Sequence, residues 1–148
     1  MQIFSAINSA ASGLTAQRLR MDTISNNIAN VNTTRTEEGG PYKRQTPIFV
    51  PRQEQKFNMP FPARKLQDKI GEGVRVVGIK EDNSQFRLVY DPGHPDANEE
   101  GYVSYPNVQI VKEMVDMISA NRSYEANVAT IQTAKQMATK ALSIGRGA

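Results

Sequence analysis

The apolar residues near the start of the chain recur in alternating steps of four and three. The positions are Ile3, Ile7, Ala10, Leu14, Gln17, Met21, Ile24, Ile28 and Val31. All of them except Gln17 are apolar, and this spacing is typical of the seam of a coiled coil. It predicts a helix of about 28 to 30 residues. The polar cluster between Asn27 and Thr34 competes for backbone hydrogen bonds and is expected to end that helix.

The end of the chain has the same spacing. Its positions are Ile110, Met114, Met117, Asn121, Tyr124, Val128, Ile131, Lys135, Ala138 and Leu142. Pro106 and Asn107 mark the start of this second helix, and Gly145 marks its stop. Because the chain leaves through one helix and returns through the other, we expect the two to pack as an antiparallel coiled coil.

The residues between the helices have a different character. Short strands are predicted over Tyr42–Val50, Val74–Ile79 and Phe86–Tyr90, which are rich in β-branched and aromatic residues. The proline-containing stretch 51–73 is predicted to be a mobile excursion. The predicted fold class is therefore α+β, with long terminal helices and a small β-rich middle module. The predicted parts are an N-terminal helix in 1–34, a middle module in 35–106 and a C-terminal helix in 107–148.

Composition excludes several protein classes. The apolar fraction is 39%, and no apolar run approaches the roughly 18 residues that a membrane-spanning helix needs. The first residues lack the basic and apolar regions of a secretory signal peptide, so we expect none. Because the chain has no cysteine, disulfides, thiol catalysis and thiolate metal sites are excluded.

The sequence offers little catalytic chemistry. The single histidine, His94, lies in a turn beside Asp91 and Asp96, where a metal ligand or a general base is conceivable. A polar, proline-bounded turn is the favoured interpretation, because no second histidine or cysteine completes a site. We expect no enzyme activity, no cofactor, no metal and no small-molecule substrate. An envelope-remodelling enzyme remains the catalytic alternative.

Basic residues are concentrated in the first half of the chain. Residues 1–70 carry ten Lys and Arg against five Asp and Glu, whereas residues 71–148 carry eight against ten. The basic residues in and around the excursion are Lys43, Arg44, Arg52, Lys56, Arg64, Lys65 and Lys69, with Phe57 and Phe61 among them. Such a cluster could contact nucleic acid, acidic envelope polymers or lipid. Acidic residues dilute it and no recognised module holds it, so a solvated or partner-facing loop is favoured and no nucleic acid is expected.

Both predicted helices carry unusually few charges outside the seam. Residues 12–32 contain only Arg18, Arg20 and Asp22, and between Asp116 and Lys135 the only charges are Arg122 and Glu125. Small and amide side chains take the remaining positions. Interface cores are depleted of charge in this way. We therefore expect other copies or homologues to surround these helices, with helix ordering coupled to assembly.

The terminal motifs resemble those of a known family. The stretch 12–16, SGLTA, followed by 26–33, NNIANVNT, resembles the N-terminal signature of the bacterial flagellar axial proteins. The stretch 117–137 is similar to their C-terminal signature. Within that family, the segments 39–44, 73–79 and 86–108 and the short middle resemble the C-type proximal rod subunits of the flagellar basal body. Distal rod and hook proteins, which usually have larger middle regions, are the alternative within the family.

The resemblance implies a structural role. Family members are exported through the flagellar type III apparatus without a cleaved signal and polymerise into the shaft that carries torque across the cell envelope. The partners it implies are other proximal rod subunits, distal rod subunits, the rod-to-ring adaptor and the export apparatus. The expected assembly contacts are Ile7, Leu14, Met21, Ile24, Asn26, Asn27, Ile28, Asn30, Val31 and Asn32 on the first helix, and Met114, Met117, Ile118, Asn121, Tyr124, Asn127, Val128, Ile131 and Leu142 on the second.

Overall fold

The computed structural model describes residues 2–37, 39–52 and 73–146. The elements in chain order are α1 (Gln2–Ala29), β1 (Gln45–Pro51), β2 (Val74–Glu81), β3 (Arg87–Tyr90), β4 (Tyr102–Tyr105) and α2 (Ile110–Arg146). Two long terminal helices thus flank a small antiparallel β region, which confirms the predicted α+β class. Most of the predicted excursion, residues 53–72, lies outside the described residues.

Local chemistry sets the inner ends of the two helices. The 28 residues of α1 span about 42 Å and the 37 residues of α2 about 56 Å. After Ala29, the Asn26 carbonyl accepts both the Asn30 backbone N–H at 3.1 Å and the Asn30 side-chain amide at 2.9 Å, so a local side-chain bond reinforces the last turn. Glu113 lies in the first turn of α2, where a carboxylate complements the helix dipole.

The helices pack side by side and run antiparallel. Gly13 of α1 lies against Asn127 of α2, and Asn27 of α1 lies against Glu113 of α2. A move of fourteen residues along α1 therefore moves the facing residue back by fourteen along α2. Continued to Gln2, this register places the described start of α1 opposite about residue 138 of α2. The last turns of α2, with exposed Leu142 and Ile144, extend beyond that point.

The residues of α2 that face α1 differ in part from the predicted seam. Met117, Tyr124, Ile131 and Ala138 are half-buried, as the predicted spacing requires. The predicted partners Ile110, Met114, Asn121, Lys135 and Leu142 are exposed, and Val128 is half-buried. The buried positions are instead Glu113, Ala120 and Ala134, with Asn127 half-buried in the same seven-residue series. The seam of α2 is therefore built of small and polar residues, which allow the two helix backbones to approach closely. Larger apolar side chains such as Met114 are exposed instead.

Two separate two-stranded sheets form the middle region. β1 pairs antiparallel with β2, with a register shift between Ile48 and Phe49, and β3 pairs antiparallel with β4. The strand expected at 42–50 begins only at Gln45, because the Tyr42 backbone N–H donates to the Thr33 carbonyl at 3.0 Å. The fourth strand, β4, was not predicted.

The β1–β2 hairpin covers a face of α1 that does not touch α2. Ser12 is buried there, and its hydroxyl accepts a hydrogen bond from the Val74 backbone N–H at 3.0 Å. Gly73 has a φ of +99°, and a Cβ at this position would collide with the Ser12 hydroxyl. Part of the charge-free surface of α1 is therefore covered by the chain itself.

Candidate assembly interface

A buried asparagine joins three parts of the chain. The Asn27 side chain is fully buried. Its amide nitrogen donates to the Gln45 carbonyl at 2.8 Å and to Glu113 Oε2 at 3.1 Å. Its amide oxygen accepts from the Gln45 backbone N–H at 2.9 Å and from the Tyr42 hydroxyl at 3.0 Å. One side chain therefore fixes α1 to β1 and to the first turn of α2, with all its hydrogen-bonding groups used.

A chain of ion pairs continues from this asparagine. Glu113, also fully buried, accepts at Oε1 from Arg44 Nε at 2.6 Å. The Arg44 guanidinium lies 3.7 Å from an oxygen of Asp116, and Arg20 of α1 reaches the other oxygen of Asp116 at 3.0 Å. Buried charges are tolerated when they are paired and hydrogen-bonded in this way. We call Arg20, Asn27, Arg44, Glu113 and Asp116 the polar node.

Partial burial beside the polar node raises the pKa of Tyr42. Removal of its hydroxyl from water raises the pKa of Tyr42 above the ordinary 10.0, and the negative charges of Glu113 and Glu81 raise it further. The phenol is therefore held in its neutral form, which is the form that donates to Asn27.

Asn107 fixes the entry to α2. Its amide oxygen accepts from the Arg44 backbone N–H at 2.8 Å, and its amide nitrogen donates to the Asp82 carbonyl at 2.8 Å and the Ser84 hydroxyl at 2.9 Å. The Ser84 backbone N–H in turn donates to the Asp82 carboxylate. Hydrogen bonds from the backbone and side chain of Ser84 lower the pKa of Asp82. Asn107 thus connects both ends of the β1–β2 hairpin to the start of α2.

Close helix packing continues away from the polar node. At Gly13 a Cβ would lie 2.9 Å from the Asn127 amide nitrogen, which is closer than a real Cβ contact. Asn127 itself donates to the Ser123 carbonyl at 2.9 Å. Ala120 is fully buried and Ala134 nearly so. Backbone proximity therefore replaces large interlocking side chains along this part of the seam.

The opposite side of α2 presents large apolar side chains to the exterior. At about 100° per residue, Val111, Val115 and Ile118 lie on the side away from α1, and Ile110 and Met114 lie on the flank of the seam. The exposed fractions of Ile110, Val111, Met114, Val115 and Ile118 range from 46% to 76%. We call this set the outer face of α2. Further along, Met137, Leu142 and Ile144 are also exposed. A contiguous exposed apolar surface of this kind is typical of a protein interface.

Sequence comparisons identify the family. A family model described as "Flagella basal body rod protein" matches residues 7–35, and one described as "Flagellar basal body rod FlgEFG protein C-terminal" matches residues 99–144. The flagellar basal-body rod protein FlgC of Borreliella burgdorferi is 54% identical, over 99% of this chain and 100% of that protein. FlgC of Bacillus subtilis is 47% identical and FlgC of Escherichia coli 36% identical, each over 99% of this chain and the whole of the relative.

The chain belongs to the FlgC family of flagellar basal-body rod proteins. It is a structural subunit of the basal-body rod, as the terminal motifs indicated. The two matched segments contain α1 from Ile7 onward and nearly all of α2, so the family signatures coincide with the packed helix pair.

The predicted assembly residues fall into three groups in the structure. The exposed ones are Asn26, Asn32, Met114, Ile118, Asn121 and Leu142. The half-buried ones are Ile7, Leu14, Met21, Ile28, Asn30, Val31, Met117, Tyr124, Asn127, Val128 and Ile131. The remaining two, Ile24 and Asn27, are buried and have internal partners in this structure. The exposed group is directly available to other subunits, whereas Ile24 and Asn27 stabilise the chain itself.

The predicted basic cluster lies only partly within the described residues. Arg44 is held in the polar node, and Lys43 lies 3.4 Å from Glu81. Arg52 is exposed, and the cluster's other members lie outside the described residues.

His94 lies in a turn, as expected. Its Nδ1 accepts from the Asp96 backbone N–H at 3.1 Å, and its own backbone N–H donates to the Asp91 carbonyl at 3.2 Å. Within 2–37, 39–52 and 73–146, no group of three metal-binding side chains is found. No described helix is long and apolar enough to cross a membrane.

The sequence interpretation missed most of the polar node. Arg20, Glu113 and Asp116 were noted only as charges or not at all, and Arg44 was assigned to a basic loop. The sequence did contain one signal. Charges are scarce in both helices, so the presence of Arg20, Glu113 and Asp116 indicated that these charges have specific partners. Spacing along the chain does not reveal that residues 20, 44 and 116 meet in space.

Proposed function

We propose that this rod subunit belongs to the proximal part of the rod and polymerises through its terminal helices into the shaft that transmits torque. The observation that carries this proposal is the outer face of α2, whose large apolar side chains are 46% to 76% exposed in the described chain. Full burial of such a side chain contributes about 1.5 to 3 kcal/mol, so burial of the part that is still exposed stabilises assembly by roughly 1 kcal/mol or more for each.

The polar node gives each subunit mechanical resistance. A sliding of α1 past α2 would separate Asn27 from Glu113 and Arg20 from Asp116. Glu113 and Asn27 are buried, and a buried polar group left without its partner costs about 1 to 3 kcal/mol. The helix pair therefore transmits load as one unit, and the outer face of α2 passes it to the next subunit.

The proposed partners are other proximal rod subunits, distal rod subunits and the rod-to-ring adaptor. The flagellar type III export apparatus is the proposed route of export, without a cleaved signal, to a shaft that crosses the cell envelope. We do not favour a nucleic-acid-binding role, because Lys43 and Arg44, two members of the predicted basic cluster, are engaged in ion pairs.

The test replaces Ile118 by aspartate in a motile bacterium that carries this chain as its sole copy. Ile118 is 55% exposed, so the isolated chain should keep its unfolding midpoint while the variant fails to enter rods and abolishes swimming. Ile79→Asp is the matched control, because Ile79 is 50% exposed but lies on β2, and this variant should still assemble. Normal rods and motility with Ile118→Asp would contradict assembly through the outer face of α2.

Leu14 and Ile131 provide a second, less selective test. Aspartate at either position should also prevent incorporation. Both side chains are half-buried within the chain, so these variants additionally weaken the helix pair. Only Ile118→Asp separates assembly from folding.

A further inference from the structure

An arginine-lined groove lies between α1 and the β1–β2 hairpin. Its volume is about 430 Å³. Its apolar lining is formed by Ala16, Leu19, Val74 and Val76. The same groove is lined by three arginines: Arg18 on α1, Arg75 on β2, and Arg52 directly after β1. The groove thus combines an apolar floor with three positive charges.

These arginines have no internal counter-ion in the described part of the chain. All three are exposed, and none lies within ion-pair distance of a described carboxylate. Asp22 is the single carboxylate among the described residues that line the groove. Three guanidinium groups beside one carboxylate leave a local positive excess, which favours an occupant that is both acidic and partly apolar.

The β3–β4 turn of the same chain has the complementary character. Residues 91–100 carry four carboxylates and no Lys or Arg. Asp96 accepts a hydrogen bond from the Thr34 hydroxyl at 2.8 Å, whereas Glu99 and Glu100 are exposed and make no ion pair with a described residue. Tyr90 and Tyr102 at the base of the turn are exposed, and their rings pack edge to face at 5.3 Å. The turn therefore offers acids beside an aromatic surface.

The groove and the acidic turn lie at different levels along the molecule. The groove is at residues 12–22 of α1, whereas the Thr34–Asp96 bond ties the turn to the chain beyond the end of α1. From Ala16 to Ala29 the helix rises about 20 Å. Two different surfaces of one chain that complement each other form a head-to-tail contact, and repetition of such a contact produces an open polymer.

We propose that the arginine-lined groove of one copy receives the acidic β3–β4 turn of a second copy. This inference rests on the proposed function, since the contact forms within the assembled rod. It adds a charged, head-to-tail contact between subunits to the apolar contacts made by the outer face of α2.

The test uses cross-linking in assembled rods. Because the chain has no cysteine, Thr15→Cys in the groove and Glu100→Cys in the turn introduce the only thiols and leave the three arginines intact. Co-expression of the two single variants should give an oxidised dimer of this chain in isolated rods, and the double variant should give a ladder of higher multimers. The matched control pairs Glu100→Cys with Lys80→Cys, which is exposed on β2 outside the groove and should give no dimer.

Several outcomes would overturn the proposal. Rods that contain both variants without a dimer would refute it while leaving the rod function intact, whereas absence of the unsubstituted chain from rods would refute the function itself. Disulfide formation with a different rod protein would exclude a second copy as the occupant. A thiol at position 15 that resists labelling in the isolated chain, while one at position 80 reacts, would mean that the chain's own residues fill the groove.

Charge exchange provides an independent readout. Arg18→Glu combined with Arg75→Glu should lower incorporation into rods by about tenfold, because like charges then face each other. Adding Glu99→Arg and Glu100→Arg to the same chain should restore incorporation. Failure of this restoration, when the isolated fourfold variant is folded by circular dichroism, would overturn the proposal even if the cysteine variants did not assemble.

Discussion

Removal of the Asn27 side chain should weaken the isolated chain far more than its single amide suggests. We predict that Asn27→Ala lowers the free energy of unfolding by about 3 kcal/mol. The side chain is fully buried and makes hydrogen bonds to Gln45, Tyr42 and Glu113. Alanine leaves each of these partners with an unused group.

The magnitude follows from which of those groups can find water. The Tyr42 hydroxyl belongs to a half-buried residue, so solvent can replace Asn27 there. The Glu113 oxygen and the Gln45 backbone lie against the helix pair, and Glu113 is fully buried. A buried group left without its partner costs about 1 to 3 kcal/mol, and two such groups give about 3 kcal/mol.

Urea unfolding followed by circular dichroism measures this loss. Equal slopes for variant and parent would allow the midpoint shift to be read as a change in stability. Asn26→Ala is the matched control, because Asn26 is the exposed neighbour of the same type, and its side chain makes only solvent-accessible bonds, to the Tyr42 hydroxyl at 3.4 Å and from the Asn30 amide at 3.0 Å. We expect a change within about 0.5 kcal/mol for this control. Equal effects of the two substitutions would refute the assigned role of Asn27 and show that the polar node does not form in the isolated chain.

Three further predictions test other contacts. The raised pKa of Tyr42 makes the folded chain lose stability as the pH rises above 10.0, because the unfolded phenol ionises first; unfolding free energies across that range should show a smaller loss for Tyr42→Phe. Gly13→Val should destabilise by about 1 to 3 kcal/mol by forcing the helices apart, whereas Gly145→Ala, which meets nothing, should leave the thermal midpoint unchanged or higher. In limited trypsin digestion of the isolated chain, cleavage after Lys140 should precede cleavage after Arg20, since α2 has no described partner near residue 140.

The sequence predicted the helices well because their signal is local and long. The asparagine and threonine cluster marked the end of α1 at Ala29, and Pro106 and Asn107 marked the approach to Ile110. The short strands were harder. β4 has four residues in which Tyr and Ser interrupt the apolar pattern, and its only fully buried residue is Val103.

Every second residue of the predicted α2 seam is one position too far along the chain. The cause is that apolar residues were assumed to be the buried ones. Met114 was assigned to the seam, but the neighbouring Glu113 lies there and Met114 is 55% exposed. The choice depends on Asn27 and Arg44, which come from distant parts of the chain and offer Glu113 its partners. The seven-residue recurrence of Ala120, Asn127 and Ala134 is the pattern that would have indicated the correct face.

Small and amide residues occupy the seam, and large apolar residues occupy the outer face of α2. Neither surface has room for many charged side chains, which explains why the helices are poor in charge. A seam built of alanine, glycine and asparagine buries little apolar area, so the polar node fixes its geometry while contributing less to net stability than an apolar core of the same volume would. The large apolar residues that such a core would use are on the outer face of α2 instead. We expect neighbouring subunits to bury them, and each neighbour that does so stabilises the folded form by mass action. We therefore expect assembly and helix ordering to be coupled through Val111, Met114 and Ile118, whereas Asn27 and Glu113 fix the packing of the two helices within one chain.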